Sequence, residues 1–203
     1  MKKKTRFIYL ISPNKIKSNF YTDLRKLFKT KKIKYFQLRL KRESEEKIVN
    51  TAKKIIKICK KYKVKFIIND NVMIAKKIDA DGCHLGQSDM NINNARDIIN
   101  NKIIGVTCHN SLKKAKKAIK NKADYIAIGA FSESTTKRVK YRATLNDLKK
   151  IRAITKKPIV AIGGINQYNY RKLLLNKADF LAISSFIWKN KKLKPEKAIE
   201  KIK

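Results

Sequence analysis

The sequence predicts a compact (β/α)8 TIM barrel, a single α/β domain over residues 1–203. Three observations carry this expectation. Short runs rich in Ile, Val, Phe and Tyr recur eight times along the chain, the segments between them show helical periodicity, and no Gly-x-Gly-x-x-Gly follows the first run. Strands that alternate with helices lie parallel, and units that tile the chain end to end favour closure into a barrel over a doubly wound open sheet.

In order, the predicted strands are FIYLI (7–11), YFQLRL (35–40), VKFIIN (64–69), GCHL (82–85), IIGVTC (103–108), YIAIGA (125–130), PIVAIGG (158–164) and FLAISSFI (180–187). Their β-branched and aromatic residues suit a pleated, buried surface. After the second strand, Ile48, Ala52, Ile55, Ile56 and Cys59 fall on one helical face; after the sixth, Leu145, Leu148 and Ile151 do so, with Ile154 less cleanly aligned. Helix starts are marked by Ser44 before Glu45 and Glu46, by Thr144 with Asp147 three residues on, by Ser111 ahead of Leu112, Ala115 and Ala118, and by Pro195.

Composition narrows the function classes. A hydrophobic fraction of 43% is that of an ordinary globular chain and excludes disorder. The net charge of +37 invites a nucleic-acid partner, but the lysines are spread from Lys2 to Lys203 and are not interleaved with base-stacking aromatics. Diffuse charge of this kind belongs to solvent-facing positions, so nucleic-acid binding is not expected as a main role. Cys59, Cys83 and Cys108 form no CxxC pair, which argues against a disulfide framework or zinc knuckle and fits a reducing cytoplasm. The apolar run after the charged N-terminus is too short for a signal peptide, and no run approaches the ~20 residues of a membrane span. No exposed apolar seam is legible, and a homo-oligomer stays compatible with the sequence.

In a parallel barrel the C-terminal strand ends converge on one face, and catalytic groups gather there. Polar residues are concentrated at those ends: Gln37, Arg39 and Lys41, then Asn69 and Asp70, Gln87 and Asp89, Thr107 and His109, Ser134 to Lys137, Gly163 and Gly164, and Ser184 and Ser185. Asp70 and Asp89 follow neighbouring strands, and two carboxylates without an added histidine or thiolate suit a hard cation such as Mg2+, with water and substrate phosphate completing its shell. The alternative is that each Asp caps the helix after it. Arg39, Lys41 and Lys137 suit the neutralisation of a diphosphate, Arg by paired hydrogen bonds and Lys as a point charge, although any single lysine in so basic a chain can equally be solvated surface. Arg39 is expected inside a strand that helices cover. The Gly163–Gly164 pair beside Ser184 and Ser185 matches the phosphate site that barrels build after strands seven and eight. Two phosphate sites on one rim suggest two phosphorylated small molecules, or one with phosphates at both ends.

Seven motifs then occur in one order: QLRLK (37–41), IINDN (67–71), DGCHLGQSD (81–89), IGVTCH (104–109), STTK (134–137), IGGI (162–165) and ISS (183–185). In these the chain resembles, over nearly its whole length, the thiamine phosphate synthase family, which includes the thiazole tautomerases. The resemblance implies a transferase that joins hydroxymethylpyrimidine diphosphate to a thiazole phosphate, or its carboxylated form, giving thiamine phosphate and diphosphate. It also implies that Gln37, Arg39, Lys41, Asn69, Thr107 and Lys137 contact the pyrimidine diphosphate and that Asp70 and Asp89 hold Mg2+. Ser134, Thr136, Gly164, Ser184 and Ser185 would bind the thiazole phosphate. Four positions depart from the family pattern: Asn71 for a frequent Arg, Thr107 for Ser, Ala130 for Pro and Ser134 for Thr. The hydroxyl swaps keep a donor and an acceptor, while Asn71 removes a charge near the diphosphate. Two rivals stand beside this expectation, an isomerase of the tautomerase kind using His109 as general acid and base, and a polycationic nucleic-acid binder. His109 otherwise reads as strand-end packing, His84 as a satisfied interior residue, and Met73 and Trp188 as core or rim packing.

Overall fold

The computed structural model describes residues 7–133 and 140–203. Eight parallel strands, β1 (Ile8–Ile11), β2 (Ile33–Leu38), β3 (Lys65–Asn69), β4 (Gly82–Leu85), β5 (Ile103–His109), β6 (Tyr125–Gly129), β7 (Ile159–Ile162) and β8 (Phe180–Ile183), pair in chain order, and β8 returns to β1 to close the barrel. Helices follow the strands: α1 (Phe20–Lys29), α2 (Glu45–Tyr62), α3 (Val72–Lys77), α4 (Ile92–Ile99), α5 (Leu112–Lys120), α6 (Leu145–Ala153) and α7 (Tyr170–Leu175), then the short α8 (Ser185–Trp188) and α9 (Pro195–Glu200). The expected fold class is the observed one.

The helix starts form where local chemistry places them. Ser44, Ser111 and Thr144 each accept a hydrogen bond from the backbone N–H three residues on, and Asp147 completes a capping box by accepting from the Thr144 backbone. Strand boundaries shift from the expectation by one to four residues, and two of the shifts bear on the site. β2 ends at Leu38, so Arg39 lies in the following loop and not within a strand. Leu38 and Leu40 are both buried, so the alternation that reads as strand persists beyond the last ladder bond. Likewise β8 stops at Ile183, and buried Ile187 belongs to α8, because an apolar run alone does not separate a strand from a buried helical turn.

The strands bury both faces. Tyr9, Ile67, Tyr125, Ala127, Val160 and Ala182 fill the barrel interior, whereas Leu10, Phe36, Phe66 and Ile126 face the helices. Gly105 is required by this packing, since a Cβ there would lie 1.8 Å from the Tyr125 ring. Met73 is 57% exposed on α3 and is not a packing residue as expected, while Trp188 lies against Phe20 and donates from Nε1 to the Ile11 carbonyl at 2.7 Å.

At the opposite end of the barrel from the polar rim, a repeated device secures the strands. Asp81, Asp124 and Asp179 stand just before β4, β6 and β8, each after a buried alanine and a residue with positive φ. Their carboxylates accept from the backbone N–H of Phe66, Ile104 and Ile159 at the starts of β3, β5 and β7, at 2.9, 2.8 and 3.0 Å. Three of the 15 acidic residues are thus used to satisfy strand-end donors, and each also meets a cation, Lys65, Arg96 or Arg152.

Candidate active site

A cavity of about 590 Å³ opens among the C-terminal strand ends. Of the expected site residues, Gln37, Arg39, Lys41, Asn69, Asp70, Asp89, Thr107 and Ser184 line it together. Gly164 and Ser185 are not among the lining residues, although their neighbours Gly163 and Ser184 are. Ser134, Thr136 and Lys137 lie outside the described residues.

The chain leaves β3 through Asp70, which adopts φ 63° and donates its N–H to the His84 carbonyl at 2.8 Å. The Asp70 carboxylate meets Lys41 Nζ at 2.9 Å across the loop that follows β2. Helix α3 is capped by Asn71, whose Oδ1 accepts from the Ile74 N–H at 2.9 Å, and α4 by Asn91, which accepts from Asn94 at 3.0 Å. Capping is therefore not the use of either rim Asp, and Asn71 has a cap to make. Asp89 instead accepts the Gly86 N–H at 2.6 Å, which closes the loop after β4.

The two carboxylates perturb each other's ionisation. Burial opposes ionisation of Asp70, yet hydrogen bonds from Lys41 and Asp89, and the charge of Lys41, together hold it below the usual carboxylate range. Asp89 is pushed up, first by burial and then by Asp70. Two partly buried carboxylates on neighbouring strand ends, one already drawing an ammonium group, form a hard anionic donor set that a divalent cation fits. No cluster of three or more His, Cys, Asp or Glu side chains suited to a metal occurs among the described residues. Arg39 is only partly buried; its Nη1 lies 3.4 Å from Asn14 Oδ1. At the cavity wall the His109 ring packs against Tyr141 with centroids 4.4 Å apart.

The floor holds residues that sequence reasoning missed. Tyr9 and Tyr125 meet hydroxyl to hydroxyl at 2.8 Å, Gln37 Nε2 donates to Tyr9 at 3.0 Å, and His84 bridges Tyr125 and Thr107 at 2.8 Å on each ring nitrogen. His84 is the satisfied interior residue that was expected, and burial pushes its pKa down to about 4, so the imidazole is neutral at pH 7. Both tyrosines looked like ordinary strand aromatics, and only closure of the barrel brings them together.

After β7 the backbone turns through Gly163 (φ 92°) and Gly164 (φ 64°). A Cβ on Gly164 would lie 2.3 Å from the Glu133 carbonyl oxygen, so both conformation and space demand glycine there.

A sequence profile described as "Thiamine monophosphate synthase" (TMP-TENI) matches residues 8–187. The chain belongs to the thiamine monophosphate synthase family. Its similarity to a thiamine-phosphate synthase from Pelagibacter ubique is 62% identity over 199 residues, covering 98% of this chain and 96% of the relative. A thiamine-phosphate synthase from Clostridium acetobutylicum is 36% identical, covering 92% of this chain and 89% of the relative. Among solved structures, thiamine phosphate pyrophosphorylase from Pyrococcus furiosus superposes with a TM-score of 0.85 at 31% identity, over 98% of this chain and 94% of that one. The chain is a transferase of thiamine biosynthesis, which is consistent with action on phosphorylated small molecules. Among the described residues no helix is long and apolar enough to cross a membrane.

Proposed function

We propose that the chain condenses hydroxymethylpyrimidine diphosphate with a thiazole phosphate to give thiamine phosphate and diphosphate. The observation that carries this is the gathering of Asp70, Asp89, Lys41 and Arg39 at the mouth of a cavity whose floor is aromatic and hydrogen-bonding. Gln37, Asn69 and Thr107 hold the pyrimidine, and Arg39 and Lys41 bind its diphosphate, with Lys137 added on the resemblance alone. Asp70 and Asp89 would hold Mg2+, which when bound supplies charge neutralisation to a diphosphate. We assign the thiazole phosphate to the turn after β7 and the start of α8, with Gly164, Ser184 and Ser185, and on the resemblance Ser134 and Thr136.

The C–O bond to the pyrimidine's methylene carbon breaks with its electron pair going to the departing diphosphate, whose charge Arg39 and Lys41 stabilise. Electron release from the aminopyrimidine ring stabilises the methylene cation left behind. The thiazole nitrogen, held close by its phosphate anchor, then donates its pair to that carbon and forms the new C–N bond. No protein nucleophile takes part. An isomerase using His109 would leave the carboxylate pair and Lys41 without a task. The buried, unpaired thiols of Cys59, Cys83 and Cys108 favour a cytoplasmic setting.

The test supplies both substrates and Mg2+ to the purified protein and measures thiamine phosphate. Folded protein that makes none refutes the proposal.

A further inference from the structure

We infer that a one-directional hydrogen-bond relay across the barrel floor holds His84 as its Nε2–H tautomer and makes Thr107 a hydrogen-bond donor to the substrate's ring. The inference rests on the proposed function only for the identity of that ring.

The direction follows from counting protons. A phenol or alcohol carries one, and a neutral imidazole carries one shared between two nitrogens. Gln37 Nε2 donates to the Tyr9 oxygen at 3.0 Å, which leaves Tyr9 to place its own proton. Tyr9 is 2% exposed, and its other hydrogen-bond partner is Tyr125, so the proton goes there. Tyr125 has then accepted from Tyr9, and its proton passes to His84 Nδ1 at 2.8 Å. An accepting Nδ1 puts the ring proton on Nε2, which donates to Thr107 Oγ1 at 2.8 Å. With Gln37 Nε2 turned toward Tyr9, the reverse direction would strand the Tyr9 proton in a buried floor. A doubly protonated His84 would be a buried cation whose two ring partners are both hydroxyls, with no carboxylate on either nitrogen.

Three groups remain unspent, and all belong to side chains that line the cavity. Gln37 keeps its amide oxygen, an acceptor, and its second Nε2 proton, a donor, and Thr107 keeps its hydroxyl proton, a donor. A ring with an exocyclic amine near a ring nitrogen offers the complementary pair. An aminopyrimidine with its amine toward the Gln37 oxygen and its ring nitrogen toward Thr107 satisfies both ends. Tyr9, Tyr125 and His84 are therefore positioning residues, which act through Gln37 and Thr107.

Long-range 15N–1H correlation spectra of the full chain at pH 7.5 read the tautomer directly. The sequence has two histidines, and a His109→Asn variant identifies the His84 signals. The relay requires a single Nε2–H form; an Nδ1–H form or an imidazolium overturns it. Kinetics supply a second reading. Tyr125→Phe keeps the ring against Gly105 but breaks the relay, and should raise KM for the pyrimidine diphosphate about tenfold, the weight of one hydrogen bond, with KM for the thiazole phosphate unchanged. Thr107→Val should match that loss and Thr107→Ser should restore it; a Val variant with an unaltered KM overturns the donor assignment. If the wild-type chain makes no thiamine phosphate, the functional proposal fails alone, and the His84 tautomer still decides the relay.

Discussion

His84 gives the fold a dependence on acid that can be calculated. Burial is the largest cause of its low pKa, Asp70 opposes the shift, and Arg39 and Lys41 add to it, so the pKa moves from 6.5 to about 4. The unfolded chain therefore takes up a proton below about pH 6.5 that the native protein refuses until about pH 4, and stability rises with pH across that window. At about 1.4 kcal/mol per pH unit the full effect is roughly 3 kcal/mol, present at neutral pH and lost as pH falls toward 4. A His84→Gln variant keeps a polar side chain between Tyr125 and Thr107 but does not titrate. Urea unfolding of both proteins from pH 7.5 to pH 4 compares them with every other titratable group retained. Wild type should lose roughly 3 kcal/mol relative to the variant over this range. Parallel stability curves would refute the claim that the native floor excludes a charged imidazole.

Other expectations separate the rim from the framework. Asp70→Asn tolerates the positive φ and keeps the shape, but weakens the anionic pair; turnover at saturating Mg2+ should fall by about a hundredfold or more with the urea midpoint nearly unchanged, and wild-type turnover would remove Asp70 from the mechanism. Gly164→Ala must relieve a 2.3 Å approach to the Glu133 carbonyl at φ 64°, so KM for the thiazole phosphate should rise more than KM for the pyrimidine diphosphate; the opposite order would move the phosphate site elsewhere. Asp124→Ala leaves the Ile104 N–H and Arg96 without their shared partner, and should cost about 2 kcal/mol of stability while both KM values hold. A change in either KM would mean that this end of the barrel reaches the substrates.

Much of the candidate site was legible because position along a strand is a local property. Once Phe66 to Ile68 reads as strand, Asn69 and Asp70 must emerge at its end, and the same holds for Asp89 beyond β4 and Thr107 near the end of β5. Which acid takes which task was less legible. Asp before a helix is a common cap, and only the structure shows Asn71 and Asn91 in that role with the aspartates released. The Ala-Asp pairs at 80–81, 123–124 and 178–179 are visible as a repeat, yet their task depends on the start of a neighbouring strand.

By itself, then, the sequence determined the alternation of strand and helix, the parallel barrel this implies, and the ring of polar residues at one end, since each follows from periodicity over a few residues and from the right-handed linkage of parallel strands. The tertiary structure decided where β2 lets go of Arg39, how Lys41 reaches Asp70, and that Tyr9 meets Tyr125 across 116 residues of chain. Those contacts depend on closure, which brings distant strands together around one interior at a fixed stagger, and no local pattern of residues encodes that stagger.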